Sequence, residues 1–264
     1  MKNKKTFSLL AVVSLGTIAT VAFATGGYIP QNPVIITIGG GHTNGISPAN
    51  TPFSSPDHSA ALYGSSYEAL GDTLEQVYGE VAVVNTAQAA SMSYPVFIPD
   101  ESGALQPTGW KGAQWQFEEG LSQSGWSDGL HVTGLYVAFF GDCGMSPCTP
   151  EALVQYHSTM TGVVQQAQAM GISVLVEEYP DYEDIDFNLL SEFAFGGHGY
   201  IVPEEDYNQL KNSWKNLWDN MGVPTVHVWE DFETIDGFHP THKSSLKGAR
   251  RVENAFKKNY SIGL

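Results

Sequence analysis

The stretch Val34-Ile-Ile-Thr-Ile38, followed at once by Gly39-Gly40-Gly41, decides the fold class of this chain. Five apolar or β-branched residues in a row predict a short strand that is buried on both faces, because a half-exposed strand would alternate apolar with polar residues. The three glycines predict a tight turn directly after the strand. Strands of this kind are typical of a parallel sheet that helices cover on both sides.

The rest of the chain repeats this pattern, with a helical segment between most pairs of strands. Further strands are predicted at residues 81–85, 135–140, 173–178 and 225–228. Helices are predicted near residues 59–78, 150–170, 204–221 and 243–259. This alternation predicts an α/β fold with a five-stranded parallel sheet, and functional residues are expected beyond the carboxyl ends of its strands.

Residues 1–24 have the features of a secretory signal peptide. Lys2, Lys4 and Lys5 form a basic start, an apolar run covers about residues 7–21, and Ala22-Phe23-Ala24 is a small-x-small cleavage site. The apolar run is short and contains serines, which disfavours a stable membrane anchor. We therefore expect export to the periplasm or beyond the cell, with residues 25–264 forming a single mature domain.

The strongly acidic balance of the chain narrows the range of its partners. The formal net charge is −16, and removal of the three leader lysines leaves 9 basic and 28 acidic residues, a net charge of −19. Such a field repels nucleic acids and anionic lipid headgroups. It suits an exported protein that acts on neutral or cationic material, although acidity also serves solubility alone.

The segment Ile235-Asp236-Gly237-Phe238-His239-Pro240 carries the clearest chemistry in the sequence. It places a carboxylate three residues before a histidine, in a turn just ahead of the last predicted helix. In such a pair Asp236 orients the imidazole and His239 acts as a general base. A pair of this kind normally serves a nucleophile on another loop.

These segments together resemble the SGNH (GDSL-type) hydrolases, a family of esterases, lipases and carbohydrate O-deacetylases. The family's four blocks align with residues 36–45, 84–91, 141–144 and 236–240, so the resemblance covers nearly all of the mature domain. The last block, Asp-x-x-His followed by proline, is intact. The resemblance implies a three-layer α/β/α, flavodoxin-like fold, ester hydrolysis as the activity, Asp236 and His239 as catalytic residues, and neither a cofactor nor a metal.

The departures from the family pattern lie at functional positions. Gly41 stands where the family has its nucleophilic serine, and glycine has no side-chain atom that can attack a carbonyl. Ala90 and Cys143 stand at the oxyanion-hole positions; the backbone N–H of Ala90 can still donate, but Cys143 lacks the amide donor of the usual asparagine. The resemblance therefore implies impaired hydrolysis. The substrate crevice is expected to include His42, Asn44, Ser91 and Asp142.

Several alternatives remain open for the missing nucleophile. Ser91 and Thr43 lie close to the expected crevice, but both suit turn or cap roles. Cys143 could attack as a thiolate with His239 as its base, and this competes with a local disulfide between Cys143 and Cys148, which an oxidising compartment favours. A metal held by His42, Asp142 and His239 is a further alternative, less favoured than a polar crevice floor.

Two ranges are predicted to be loop insertions, near residues 91–130 and 180–203. The first contains Trp110, Trp115 and Trp126 among glycines, serines and glutamines, which fits either stacking on sugar rings or a small satellite core. The second contains the acidic run 181–186, which fits a solvated loop better than a calcium loop, because it lacks the glycine and regular ligand spacing of the latter. The histidines outside the site, His227 among them, are expected to be surface or satisfied polar residues.

Two functions from different classes follow from these residues. One is an exported ester hydrolase that acts on a small-molecule, glycan or lipid ester with substituted catalytic groups. The other is a non-catalytic relative that keeps the crevice to bind a glycan or another ligand. The intact Asp236–His239 turn favours the first function, because a binding protein has little need of a base. The combined loss of serine, glycine and asparagine favours the second.

Overall fold

The computed structural model describes residues 34–40, 82–87, 93–94, 97–99, 102–107, 111–124, 132–138, 149–194, 202–234 and 237–260. In chain order the strands are β1 (Val34–Ile38), β2 (Ala82–Asn85), β3 (Phe97–Pro99), β4 (Leu105–Pro107), β5 (Val132–Val137), β6 (Ser173–Glu177) and β7 (Thr225–Val226). The helices are α1 (Ala113–Gln123), α2 (Pro150–Ala169), α3 (Phe187–Ala194), α4 (Glu204–Met221) and α5 (His242–Tyr260). The leader and the helix predicted near 59–78 lie outside the described residues.

The main sheet has five strands in the order β2-β1-β5-β6-β7, and each neighbouring pair is parallel. This confirms the predicted five-stranded parallel sheet. From β1 the chain first moves to β2 on one side and then crosses to β5 on the other, so the strand order reverses at β1. Ligands in open α/β sheets bind beyond the carboxyl ends of the strands at such a reversal. We call the edge of the sheet that is formed by the carboxyl ends of its strands the carboxyl edge. β3 and β4 form a separate antiparallel pair.

Helices cover both faces of the sheet, as the position of β1 shows. All five residues of β1 are buried, and neighbouring residues of a strand point to opposite faces. On one face α1 lies so close that a Cβ at Gly120 would be 2.5 Å from Cγ2 of Ile36. On the other face the ring of Phe256, in α5, lies against Gly134, which is the strand partner of Ile35. The three-layer α/β/α architecture is therefore confirmed.

An aromatic cluster fills the space between α2, α4 and the end of β6. The rings of Tyr156 and Trp214 stack with centroids 4.9 Å apart, and Trp218 meets Trp214 edge-on. Trp214 Nε1 donates a hydrogen bond to the carbonyl oxygen of Glu177 (2.9 Å), so the cluster also anchors the last residue of β6. Among the described residues no helix is both long enough and apolar enough to span a bilayer.

The prediction of a loop insertion near 91–130 is wrong for its second half, because α1 occupies residues 113–123 and packs on β1. The buried positions of α1 are Ala113, Gln116, Phe117 and Gly120. They have the i, i+3, i+4, i+7 spacing of a helix face. One of the four is a polar amide and one is a glycine, so the sequence shows no apolar stripe there. The helical spacing was present in the sequence, but it could not be recognised because two of the four buried residues are not apolar.

The prediction of a loop for 180–203 is also incomplete. A 3-10 turn at Tyr182–Asp184 and the helix α3 lie within that range. Phe187 and Leu190 of α3 are buried in the main core. The third strand of the sheet, β5, begins three residues earlier than predicted, at Val132. It includes Gly134, which is a poor strand former, and the ring of Phe256 occupies the space that a side chain would need there.

Candidate active site

Two of the predicted site loops begin within the described residues, at the carboxyl edge. Gly39 and Gly40 directly follow β1 and are buried, and Thr86 and Ala87 follow β2 and are buried as well. Because β1 and β2 are parallel neighbours, with Thr37 paired to Asn85, the two loops leave the sheet side by side. After β5 only Ala138 is described, so the part of the following loop with positions 141–143 lies outside the described residues.

Hydrogen bonds hold the ends of β1 and β2 together. Thr37 Oγ1 donates to Asn85 Oδ1 (2.9 Å), and the same oxygen accepts from the backbone N–H of Ala87 (3.1 Å). The amide of Thr86 donates to the carbonyl of Thr37 (3.1 Å). Side chains that accept from backbone amides at a strand end give the following loop a defined exit direction.

His239 lies in a closed turn between β7 and α5. An isolated antiparallel bridge joins Thr234 to Pro240, and the amide of Thr241 donates to the carbonyl of Glu233 (2.9 Å). These contacts close the base of the turn. His239 is 7% exposed, so it reaches solvent or substrate only through a small part of its surface.

The tip of this turn is held from the opposite side by the segment that follows the 3-10 turn. The amide of Asp186 donates to the carbonyl of Gly237 (2.9 Å). Gly237 has a φ of +90°, and a Cβ built there would lie 2.3 Å from the carbonyl oxygen of Asp186. Only glycine fits this position without displacement. The glycine inside the Asp-x-x-His segment therefore has a structural reason.

Behind the histidine turn lies a buried carboxylate. Glu177, the last residue of β6, is 1% exposed; it accepts hydrogen bonds from the hydroxyl of Tyr136 and from Trp229 Nε1, the latter at 3.0 Å. Burial, followed by the nearby charge of Glu177, raises the pKa of Tyr136 well above 10.0. The ring of Trp229 stacks on Phe238 (5.3 Å), and Phe238 meets the ring of His239 edge-on (5.2 Å). This chain of contacts connects β5 and β6 to the histidine.

Sequence reasoning did not identify Glu177, Tyr136 or Trp229 as parts of the site surroundings. The only local signal was an acidic residue at the end of an apolar strand, which an exposed strand end explains equally well. Trp229 and Glu177 are 52 residues apart in sequence, so the hydrogen bond from Trp229 Nε1 to Glu177 Oε1 can be found only in the tertiary structure.

Among the predicted site residues, His239 lies within the described part of the chain, in the turn between β7 and α5, and its catalytic role stays a prediction. The following lie outside the described part, and their roles stay predictions: Gly41, His42, Asn44, Ala90, Ser91, Asp142, Cys143, Cys148 and Asp236. The hydrogen bond expected between Asp236 and His239, the facing of Gly41 and His239, and the Cys143–Cys148 disulfide are therefore untested.

A group of possible metal ligands lies farther along the same edge. Ligand atoms of Asp181 and Asp184, which follow β6, and of His227, which follows β7, lie within 4.8 Å of one another. Lys211 Nζ binds Asp181 Oδ1, and this bond lowers the pKa of the Asp181 carboxyl. Burial raises the pKa of Asp184. A lysine already neutralises much of the charge that would attract a cation, so we describe the group as an ion-pair network. His227 Nε2 lies 3.9 Å from Asp181 Oδ2 and its side chain is 30% exposed, which agrees with the expectation of a surface or satisfied polar residue.

The tryptophans of the range 91–130 are described only in part. Trp115 lies on the outer side of α1 with 36% of its surface exposed, and Lys111 Nζ is 5.5 Å from its ring centroid. Such exposure does not fit burial of Trp115 in a satellite core. Trp110 and Trp126 lie outside the described residues.

Comparison with known proteins gives structural similarity alone. No protein-family model matches the chain, and no curated protein matches it by sequence. Solved structures do match. A carbohydrate acetylesterase family member from Sinorhizobium meliloti has 14% identity and a TM-score of 0.58, over 88% of this chain and 100% of that one. The aryl esterase of M. smegmatis has 17% identity and a TM-score of 0.56, over 87% and 99% of the two chains.

A GDSL-like lipase from Bacteroides thetaiotaomicron also matches, with 11% identity and a TM-score of 0.51, over 85% of this chain and 88% of that one. Identities this low establish the fold and not the activity. In this chain the parallel sheet has the order β2-β1-β5-β6-β7 and the histidine turn follows β7. This chain has the fold of the SGNH (GDSL-type) hydrolases.

Proposed function

We propose that this chain is an exported ester hydrolase of the SGNH type whose serine pathway is impaired at position 41. The observation that carries the proposal is His239, buried in a closed turn that follows the last strand of the parallel sheet. The similar structures support it, since they include a carbohydrate acetylesterase, an aryl esterase and a GDSL-like lipase. The substrate class proposed from these likenesses is a small-molecule, glycan or lipid ester.

The chemistry explains why the proposal includes impairment. In the serine pathway the histidine removes a proton from the nucleophile as the nucleophile attacks the ester carbonyl, and a carboxylate orients the imidazole. His239 and Asp236 supply the base and its orienting group, but Gly41 has no proton to give. Ala90 and Cys143 would also weaken stabilisation of the oxyanion that develops in the transition state.

A second candidate is a non-catalytic binding protein that uses the same crevice. The specific observation in its favour is that three different loops carry substitutions at functional positions, namely Gly41, Ala90 and Cys143. A single substitution would leave most of the site intact, whereas three suggest that selection for hydrolysis has relaxed. Under this alternative His239 would bind the ligand and would not act as a base.

The experiment that tests the proposal replaces Gly41 by serine and measures hydrolysis of p-nitrophenyl acetate by the mature protein. Gly41→Ala is the matched control, because it adds a side chain without a hydroxyl. We expect Gly41→Ser to exceed Gly41→Ala by at least about a hundredfold, a small part of the roughly 10⁶-fold that loss of the nucleophile costs in the serine protease subtilisin. A fluorophosphonate probe should label Gly41→Ser and not Gly41→Ala.

Two further variants make the result decisive. Adding His239→Ala to Gly41→Ser should abolish the gain, and adding Cys143→Asn should increase it, because an oxyanion donor contributes up to about 10²–10³ in turnover. If Gly41→Ser folds and shows neither hydrolysis nor labelling, the hydrolase proposal is wrong and the binding function is favoured. If the unmodified protein hydrolyses esters rapidly and His239→Ala stops it, the nucleophile lies elsewhere.

Export is part of the same proposal and is tested separately. The leader features of residues 1–24 support it. N-terminal sequencing of the protein recovered from outside the cytoplasm should begin near Thr25. Recovery of a chain that begins at Met1 would contradict the proposed export and, with it, the oxidising compartment assumed for the cysteines.

A further inference from the structure

Gln116 is a fully buried polar side chain that uses both ends of its carboxamide. It lies on α1 with 0% of its surface exposed. Its Oε1 accepts a hydrogen bond from the backbone N–H of Gly39 (2.9 Å), and its Nε2 donates to the carbonyl oxygen of Lys111 (3.1 Å). A buried amide side chain is tolerated in a core when its groups are paired in this way.

The backbone of the same residue contacts the neighbouring strand end. The carbonyl oxygen of Gln116 accepts a hydrogen bond from Thr86 Oγ1 (2.7 Å). Thr86 in turn donates through its amide to the carbonyl of Thr37 (3.1 Å). One residue of α1 therefore contacts the first residue after β1 and the first residue after β2.

The amide of Gly39 needs such a partner because the strand ends there. Pairing of β1 with β2 stops at Thr37, and pairing with β5 stops at Ile38. Gly39 is buried and has a φ of +151°, so its backbone has left the strand geometry. A buried N–H without an acceptor costs free energy, and Gln116 Oε1 removes that cost while it fixes the direction in which the chain leaves β1.

We propose that Gln116 is a positioning residue for the loops of the candidate active site. It holds the start of the loop that carries position 41 through Gly39, and the start of the loop that carries Ala90 through Thr86. Gln116 itself touches no reacting atom in this proposal. The inference rests on the proposed function only in identifying position 41 as the nucleophile site; the contact itself is independent of any activity.

The first test observes the loop directly by nuclear magnetic resonance, without catalysis. Labelling with 13C-carbonyl isoleucine and 15N-glycine selects Ile–Gly pairs, and the sequence contains two, Ile38–Gly39 and Ile262–Gly263. Gln116→Met removes both side-chain hydrogen bonds and keeps a similar volume. We expect the Gly39 amide to exchange about tenfold faster in this variant, as loss of one hydrogen bond implies. Assigned 15N-glycine spectra should show that the signals of Gly40 and Gly41 move too.

Gln114→Met is the matched control on the same helix. The Gln114 side chain is exposed and bonds Glu118 and Gln166 at the surface. This variant should leave the signals of Gly39, Gly40 and Gly41 unchanged. If Gln116→Met is folded and these three signals stay as in the unmodified protein, or if only Gly39 moves, the proposal is overturned.

Gln116→Glu provides a pH-dependent signature that general destabilisation would not produce. A neutral carboxylic acid can reproduce both bonds, since its carbonyl accepts from Gly39 and its O–H donates to Lys111 O. A carboxylate cannot donate and would face the Lys111 carbonyl. We expect the Gly39 amide signal to resemble that of the unmodified protein at low pH and to move as the buried glutamic acid ionises. Absence of that titration would contradict the proposed contact, and this variant also serves if Gln116→Met fails to fold.

The functional consequence is measured in the Gly41→Ser background. Adding Gln116→Met should lower kcat for p-nitrophenyl acetate by about tenfold or more while KM changes less, because a displaced nucleophile affects the reacting geometry more than binding. Adding Gln114→Met should change neither. Equal kcat values for the Gln116 and Gln114 variants would overturn the proposal. If Gly41→Ser is itself inactive, the hydrolase function fails, and the glycine signals alone decide the role of Gln116.

Discussion

Replacement of Gly237 by alanine should destabilise the protein and displace the turn that carries His239. The backbone at Gly237 has a φ of +90°, and an added Cβ would lie 2.3 Å from the carbonyl oxygen of Asp186. Adoption of a left-handed conformation by alanine costs about 1–2 kcal/mol. Relief of the contact requires the two segments to separate by about 1 Å, since a normal contact needs more than 3 Å. That movement breaks the bond from Asp186 N to Gly237 O, worth about 1 kcal/mol.

Together these effects predict a loss of about 3 kcal/mol in the free energy of unfolding. Gly171→Ala is the matched control, because Gly171 has a similar φ of +79° and no atom lies within 4 Å of the position that a Cβ would take there. It should lose only about 1 kcal/mol, the cost of the backbone conformation. The difference between the two variants isolates the steric conflict with Asp186.

Urea denaturation followed by tryptophan fluorescence and circular dichroism measures both losses. Fluorescence is well suited because Trp229 stacks on Phe238, next to the altered glycine. The imidazole signals of His239 should also shift in Gly237→Ala and not in Gly171→Ala. Equal stability losses in the two variants, within about 0.5 kcal/mol, would refute the steric reasoning and the geometry of the turn.

Two further predictions concern a buried tyrosine and the cysteines. In the variant Tyr136→Phe the free energy of unfolding should fall less steeply with pH in alkaline solution. Burial and Glu177 raise the pKa of Tyr136 in the folded state well above 10.0. The stability that Tyr136 contributes is therefore complete below about pH 10 and falls by about 1.4 kcal/mol per pH unit above it. Urea titrations from about pH 9 to about pH 11 measure the two slopes, and equal slopes would contradict this assignment. Thiol titration of the denatured, unreduced protein should find no free thiol if Cys143 and Cys148 are bridged; two thiols would exclude the bridge and favour Cys143 as a nucleophile.

The parallel sheet could be predicted from the sequence because its signals are local. Each strand buries both faces, so Val34–Ile38 is apolar or β-branched throughout and needs no distant residue to be recognised. Alternation with helices then requires parallel strands, whose carboxyl ends share one edge. The turn that carries His239 was likewise expected after the last strand, and it lies between Val226, where β7 ends, and α5.

The helix α1 and the contacts around the site could not be predicted, because their determinants are distant in sequence. Gln116 looks like a surface residue in a stretch of glutamines and glutamates; only the fold brings it to Gly39, 77 residues away. Gly120 likewise looks like a loop glycine until Ile36 is placed against it.

The sequence alone was therefore enough to predict the fold class, and it gives an expectation for the edge at which the site lies. The buried polar groups that support that edge are identified from the folded structure alone. Hydrophobic burial leaves a repeating pattern along the chain, whereas a buried hydrogen bond depends on two residues whose separation in sequence carries no pattern. For this reason the hydrogen-bonding roles of Glu177 and Gln116 can be recognised only in the folded structure, where β6, α1 and the ends of β1 and β2 lie close together.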